Sequence, residues 1–228
     1  MRVRIRFSKT GALVYIGHLD VMRYFQKLFR RAGIPVAYSE GFSPHQILSF
    51  TPPLPLGMES FGEYADVELT DTISTNEAMK RLAAESVPEI IIMSFKALGD
   101  GCEKAMAAVR AAKYSVTFNI DYDMSKIENA AQTLMAKDEH FVVKKTKKSE
   151  NSINLRPLIH ELTVSGNELI MTVSSGSTDN IKPELVLGAI NDISPVIGDM
   201  SELLLRRIDQ YTYTDSYISL DMIGEDIP

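Results

Sequence analysis

The sequence predicts an α+β fold made of two tandem units, each an antiparallel sheet with two helices on one face. Three observations predict it. Short segments with a period of two alternate with segments of helical period, and the same order of segments occurs twice. A glycine-rich joint, "ALGDG" at 97–101, separates the two runs.

Val3, Ile5 and Phe7 alternate with Arg2, Arg4 and Arg6, so residues 2–7 read as a half-buried strand. "SKTG" breaks it. From about Gly17 to Ala32, the apolar residues Val21, Met22, Phe25, Leu28, Phe29 and Ala32 recur every three or four positions, as in an amphipathic helix. Asp20 in its first turn and Arg30 and Arg31 in its last suit the helix dipole, and Gly33 with Pro35 stops it. A short strand is expected within 46–50. "GEYADVELT" is a strand ending near Thr70, residues 75–86 are a helix, and "EIIIMSFK" (89–96) is a buried strand. The order is β-α-β-β-α-β, the ferredoxin-like pattern.

The second half repeats it. "KYSVTFNI" (113–120) is a strand, 124–136 a helix and "HFVVKK" (140–145) a strand. Residues 158–173 form a hairpin about Ser165-Gly166, 183–191 a helix opening at Pro183, and 206–214 a last strand. The expected organisation is one ferredoxin-like domain over 1–98 with a basic face, a second over 112–214, and an acidic peripheral tail, 215–228.

The 228 residues include no apolar run long enough to span a membrane, so no membrane association is expected. "MRVRIRF" is neither a signal nor a transit peptide. The single cysteine, Cys102, excludes an internal disulfide and a thiolate cluster, and the cytoplasm is the expected compartment. The net charge of −6 hides an asymmetry. Residues 1–60 carry eight Arg or Lys against Asp20, Glu40 and Glu59, whereas the remainder has 16 basic and 27 acidic residues. A basic N-terminal part fits an anionic partner.

Two readings of the arginine row are open. Arg2, Arg4 and Arg6 on an uncovered sheet face would track phosphates, because guanidinium forks match phosphate oxygens. Alternatively Asp66 and Glu68 on the neighbouring strand neutralise them. Asp20, Arg23, Lys27, Arg30 and Arg31 share one side of the first helix, as a basic ridge or as a solvated face. "KKTKK" (144–148) is a solvated hairpin tip or a nucleic-acid finger.

His18 lies on the apolar side of the first helix, as a semi-buried structural residue or as a general acid–base partner of His45. Asp20 points away from His18, so no metal triad is expected. His140 and His160 read as structural. Phosphate-loop, dinucleotide and nucleophile-elbow motifs are missing, and no cofactor is expected. The stretch "GFSPHQILSFTPPLPLG" (41–57) is a proline-rich connector or a shaped loop. Within it and just before it, Glu40, Ser43 and His45 meet at one turn, with Lys9 and His18 as expected neighbours.

The block "RIRFSKTGALVYIGHLDVMRYFQKLFRRAGIPVAYSEGFSPHQILSFTPPLPLGMES", with "EYADVEL", "INLRPLI" and "KPELVLGAI", resembles the bacterial radical-SAM-linked family, a domain of unknown function called DUF2344. Positions that match include Phe7-Ser8-Lys9, His18-Leu19-Asp20, Arg23, Tyr38 to Phe42, Pro44-His45 and Arg156-Pro157. Gly17 stands where serine is expected, Ser43 where asparagine is, and Val14 where a basic residue is common. The resemblance implies a radical SAM protein as partner, encoded nearby or fused, and an RNA-modification or RNA-maturation setting. The reading that follows is an RNA-binding or substrate-presenting accessory module. Its RNA or anion contacts would come from Arg4, Arg6, Lys9, Arg23, Lys27, Glu40, Ser43, His45 and Arg156. Two alternatives stand beside it: an RNA-processing enzyme using His18 or His45, and a pure protein-interaction partner of a radical SAM enzyme.

Overall fold

The inward row of the first strand anchors the core. In the computed structural model, which describes residues 1–145, 150–176 and 179–228, Val3, Ile5 and Phe7 are sealed from solvent. Strand β1 (Arg2–Lys9) leads into helix α1 (His18–Arg31), whose Val21, Phe25, Leu28 and Phe29 close over that row. Gly33, at φ 62°, ends α1 in the left-handed conformation that glycine adopts without penalty, and Ile34 N–H donates back to the Phe29 carbonyl. Next come β2 (Leu48–Phe50), β3 (Glu59–Glu68), α2 (Thr75–Glu85), β4 (Ile92–Ala97) and the single-turn α3 (Ala105–Ala108). Ser74 caps α2 by accepting from Glu77 N–H.

The chain continues through β5 (Ala111–Thr117), α4 (Met124–Met135), β6 (Phe141–Lys145), β7 (Glu150–Asn154), β8 (Ile159–Ser165) and β9 (Glu168–Ser174). Helix α5 (Pro183–Ile193), β10 (Leu204–Tyr213) and β11 (Tyr217–Ser219) complete it. The fold is thus α+β, with mostly antiparallel sheet and five α-helices among the described residues. It divides into two units, one of residues 1–109 with 209–228 and one of residues 110–208.

In the first unit the strand order is β4-β1-β3, with β2 pairing β3 through Leu48↔Val67 to Phe50↔Ala65. The β1–β3 register sets Arg2 opposite Glu68, Arg4 opposite Asp66 and Arg6 opposite Tyr64. Phe7, Phe25 and Phe50 meet under α1, with ring centroids 4.5 to 6.1 Å apart. The chain end belongs here as well. Residues 211–213 of β10 pair antiparallel with β11, Leu220 and Ile227 are buried, and Glu225 bridges to Ala97. The segment expected as a peripheral acidic tail therefore contributes core side chains, because its apolar residues sit between its acidic ones.

In the second unit β5 pairs β9 and β9 pairs β8, with Gly166 at φ 61° turning the β8–β9 hairpin. Residues 141–145 are a strand, but they pair with β7 in a separate two-stranded hairpin rather than joining β8 and β9. Phe141 and Val143 are exposed along it. Of "KKTKK", residues 146–148 lie outside the described residues. Among the described residues no helix is long and apolar enough to cross a membrane.

Candidate functional site

The arginine row lies under other parts of its own unit. Arg4 makes a two-pronged ion pair with Asp66, Nε to Oδ1 at 2.7 Å and Nη2 to Oδ2 at 3.0 Å, and both side chains are almost wholly buried. Arg4 also donates to the Glu103 carbonyl, while Asp66 accepts from Ala105 N–H at 2.8 Å. A buried guanidinium without a partner is costly, so this pairing is what lets Arg4 sit inside. Arg6 donates to the Phe61 carbonyl, lies 3.5 Å from Asp221 and 3.8 Å from Asp209, and its guanidinium stands over the Tyr64 ring. Tyr64 donates to Asp209, and burial together with that carboxylate raises the Tyr64 pKa well above its usual value. Arg2 donates to the Cys102 carbonyl. Segments 102–109 and 209–222 thus supply the partners of the row.

Lys9, also buried, donates to the carbonyls of Ile16 at 2.9 Å and Val14 at 3.4 Å, tying down the turn before α1. Beside it His18 packs edge-on against Phe50 at 5.5 Å. Burial lowers the His18 pKa, Glu63 opposes that shift and Lys9 adds to it. Lys9, His18, Glu63, Thr51 and Leu54 enclose a cavity of about 20 Å³. That holds a water, not a nucleotide. In the second unit, Arg156 donates Nε to the carbonyl of Met135, the last residue of α4, and Nη1 to Ile159.

His45 lies elsewhere in the first unit. Residues 37–47 double back as a narrow hairpin: Ala37 accepts from Ile47 N–H, Tyr38 bridges to Gln46, and Ser39 N–H donates to His45 at 2.8 Å. Gly41, at φ 105°, allows the reversal at its tip. Ser39 Oγ accepts from His45 N–H at 3.1 Å and stands 2.8 Å from His45 Nδ1. The hydroxyl and Nδ1 share one hydrogen bond, whose direction follows the tautomer of the ring. Glu40 and Ser43 are exposed at the tip, and Phe42 is fully exposed.

This hairpin and α1 line a cleft of about 200 Å³ between Gln26, Arg30, Tyr38, Pro44, His45 and Gln46. Tyr38 is half exposed, whereas Gln46 is 6% exposed. Gln46 Nε2 donates to the Gln26 carbonyl at 3.4 Å and to Tyr38 Oη at 3.3 Å, and its Oε1 is buried with no partner among the described residues. Such an orphan acceptor costs about 1–3 kcal/mol. Lys27 and Arg30, along the same helix, have no carboxylate partner among the described residues, whereas Arg23 pairs with Asp20 at 3.2 Å. A second cleft of about 280 Å³ lies on the Ser39 side of His45 and reaches Ser49, Glu68 and Lys104.

The structure thus brings Lys9 to His18, and His45 to Arg30, Tyr38 and Gln46, but keeps the two histidines in separate clefts. Gln46 and Gln26 carry no sequence signal, since only the hairpin pairing sets Gln46 opposite Tyr38 and against α1. Among the described residues no group of three or more His, Cys, Asp or Glu is placed to hold a metal ion.

A comparison with curated proteins gives no match. Among solved structures the chain is similar to one chain in a crystal structure of a Cbf5-Nop10-Gar1 complex, at 11% identity and a TM-score of 0.43. The similarity covers 96% of this chain and 52% of that one, so this protein spans about half that chain's length, and it carries no functional argument here. The family comparison is of another order: its model matches residues 2–183, through β1, α1, the 37–47 hairpin and on to the start of α5. The chain belongs to the DUF2344 family, described as an uncharacterized protein conserved in bacteria.

Proposed function

We propose that this protein is a non-catalytic module that binds single-stranded RNA, presenting it to a radical SAM enzyme in the cytoplasm. One observation carries the RNA part: Arg30, the half-exposed Tyr38 and the buried side chain of Gln46 line one cleft, formed by the same hairpin that exposes Phe42. Aromatic platforms beside uncompensated cations are what single strands require, because bases stack on the rings while guanidinium and ammonium groups meet the phosphates. Of the expected anion contacts, Arg23, Lys27 and His45 stay in this reading, with Glu40 and Ser43 at the hairpin tip. Arg4, Arg6, Lys9 and Arg156 serve the interior and the cap of α4. The radical SAM partner rests on the family resemblance alone. Reading each unit as ferredoxin-like, over about 1–98 and 112–214, is supported by the strand orders β4-β1-β3-β2 and β5-β9-β8, with β6–β7 as an insertion.

The test is fluorescence anisotropy with a labelled, unstructured RNA across a salt series. Affinity that falls with salt, and falls again in Tyr38→Ala and Arg30→Ala, is expected. Binding unchanged by both substitutions overturns the proposal. One observation favours a second reading, an RNA-processing enzyme: the 2.8 Å contact of Ser39 with His45 Nδ1, which orients the ring and leaves Nε2 as the nitrogen for general acid–base work. Turnover of RNA by the purified protein, abolished in His45→Ala, would establish that reading instead. Co-purification with a radical SAM protein and no RNA affinity would leave the pure protein-partner reading.

A further inference from the structure

We propose that the second cleft, on the Ser39 side of His45, continues the single-strand site, so that one RNA strand crosses His45 and meets Lys104 and Arg2 with its next phosphate. This rests on the RNA-binding reading and extends it to a second nucleotide. The clefts of about 200 Å³ and about 280 Å³ both belong to the first unit and share His45 and Gln46 in their linings. Of these two residues only His45 is exposed, so a strand that leaves one cleft for the other passes over that side chain.

The buried arginine row is what places Lys104. Arg2 donates to the Cys102 carbonyl, Arg4 to the Glu103 carbonyl, and Asp66 accepts from Ala105 N–H, so the chain on both sides of Lys104 is tied to β1 and β3. Lys104 itself is exposed and makes no ion pair or side-chain hydrogen bond among the described residues. A cation on a fixed segment loses less freedom on binding than one on a loose loop. The charge balance of the cleft also favours an anion. Asp66 is neutralised by its two-pronged pair with Arg4, which leaves Arg2 and Lys104 against Glu68 alone. Glu68 stands opposite Arg2 in the β1–β3 register, and no ion pair joins the two among the described residues. Ser39 and Ser49 line the same cleft, and hydroxyls together with cations are the common contacts of phosphate and sugar oxygens. A third cavity, which shares Arg2 and Glu68 with this cleft, adds Asp100 and no further cationic side chain, so the track ends at Arg2.

The experiment uses the full chain and a labelled oligouridine of about ten nucleotides, with affinity read by anisotropy across a salt series. Lys104→Ala is expected to lower the slope of log affinity against log salt by about 1, as for one lost phosphate contact. Glu68→Gln is expected to tighten binding about threefold, since it removes a like charge from the strand's path. Lys80→Ala, an exposed position on α2 outside both clefts, should leave slope and affinity unchanged. A native slope in Lys104→Ala, the same loss in Lys80→Ala, or no gain in Glu68→Gln each takes the second cleft off the strand's path and leaves the RNA-binding reading standing on Arg30 and Tyr38. Absence of binding by the native protein overturns both. A gain of affinity does not arise from misfolding, so Glu68→Gln decides the question even where Lys104→Ala is unstable.

Discussion

Two groups of basic side chains, both from the first 31 residues, end in opposite environments. On β1, Arg4 is buried and clasped by Asp66, and Arg6 lies between Asp209 and Asp221. On α1, Lys27 and Arg30 are exposed, with no carboxylate partner among the described residues. The first group is structural because water has been replaced around it, and a guanidinium out of water persists only with an anion and carbonyls in its place. The second keeps its hydration and is available to a phosphate. The same residue type thus does two kinds of work, decided by what covers it. Local charge density does not tell them apart.

The sharpest way to break this contrast is on the buried side. Asp66→Ala strands the Arg4 guanidinium and should cost about 3–5 kcal/mol, read as a lowered urea midpoint. Replacing both, as Arg4→Met with Asp66→Leu, should restore most of that loss, since an apolar pair of similar volume carries no desolvation penalty. If Asp66→Ala is as stable as the parent, the pair is not buried in solution. On the exposed side, Tyr38→Ala should weaken binding to single-stranded RNA by about 1–3 kcal/mol and shift stability by no more than about 0.5 kcal/mol. Smaller still, Lys27→Ala or Arg30→Ala should each lower the slope of log affinity against log salt by about 1. A slope that stays unchanged would return those cations to the role of a solvated face.

The smallest effect concerns protons. Burial lowers the pKa of His18 in the first unit and of His160 in the second below the usual 6.5. The unfolded chain therefore binds more protons than the native one once the pH falls below about 6.5, and stability declines as pH drops through that region. His18→Gln should make the decline shallower, measured as urea midpoints between pH 7 and the depressed native pKa. An unaltered pH profile would show that His18 is solvated.

Much of the architecture is legible in the residue pattern. The helix over 18–31, the helix over 75–85 and the hairpin turning at Gly166 follow from periods and breakers that act locally. The separate β6–β7 hairpin is not legible, because "HFVVKK" alternates like any strand and only pairing reveals its neighbour. The role of 215–228 was hidden for a related reason. Its acidic residues announce solvent, yet Leu220 and Ile227 occupy the core, and Asp221 lies 3.5 Å from Arg6. The cleft was half legible. His45 and the turn at 40–45 stand out by composition, whereas Gln46 is an ordinary residue until its oxygen is found buried without a partner.

By itself the sequence determined the longer helices and most strands, the inward row Val3–Ile5–Phe7, and the concentration of positive charge in the first 60 residues, because each depends on neighbours a few positions away. It also set Asp66 as an available partner for Arg4, since strand alternation puts both on one face. Only the tertiary structure decided that this face is closed by residues 102–109 and 209–222, and that His18 and His45 open into different clefts. The reason is physical. Solvent exposure belongs to the assembled surface, and charge, pKa and hydrogen-bonding capacity take their functional meaning from it.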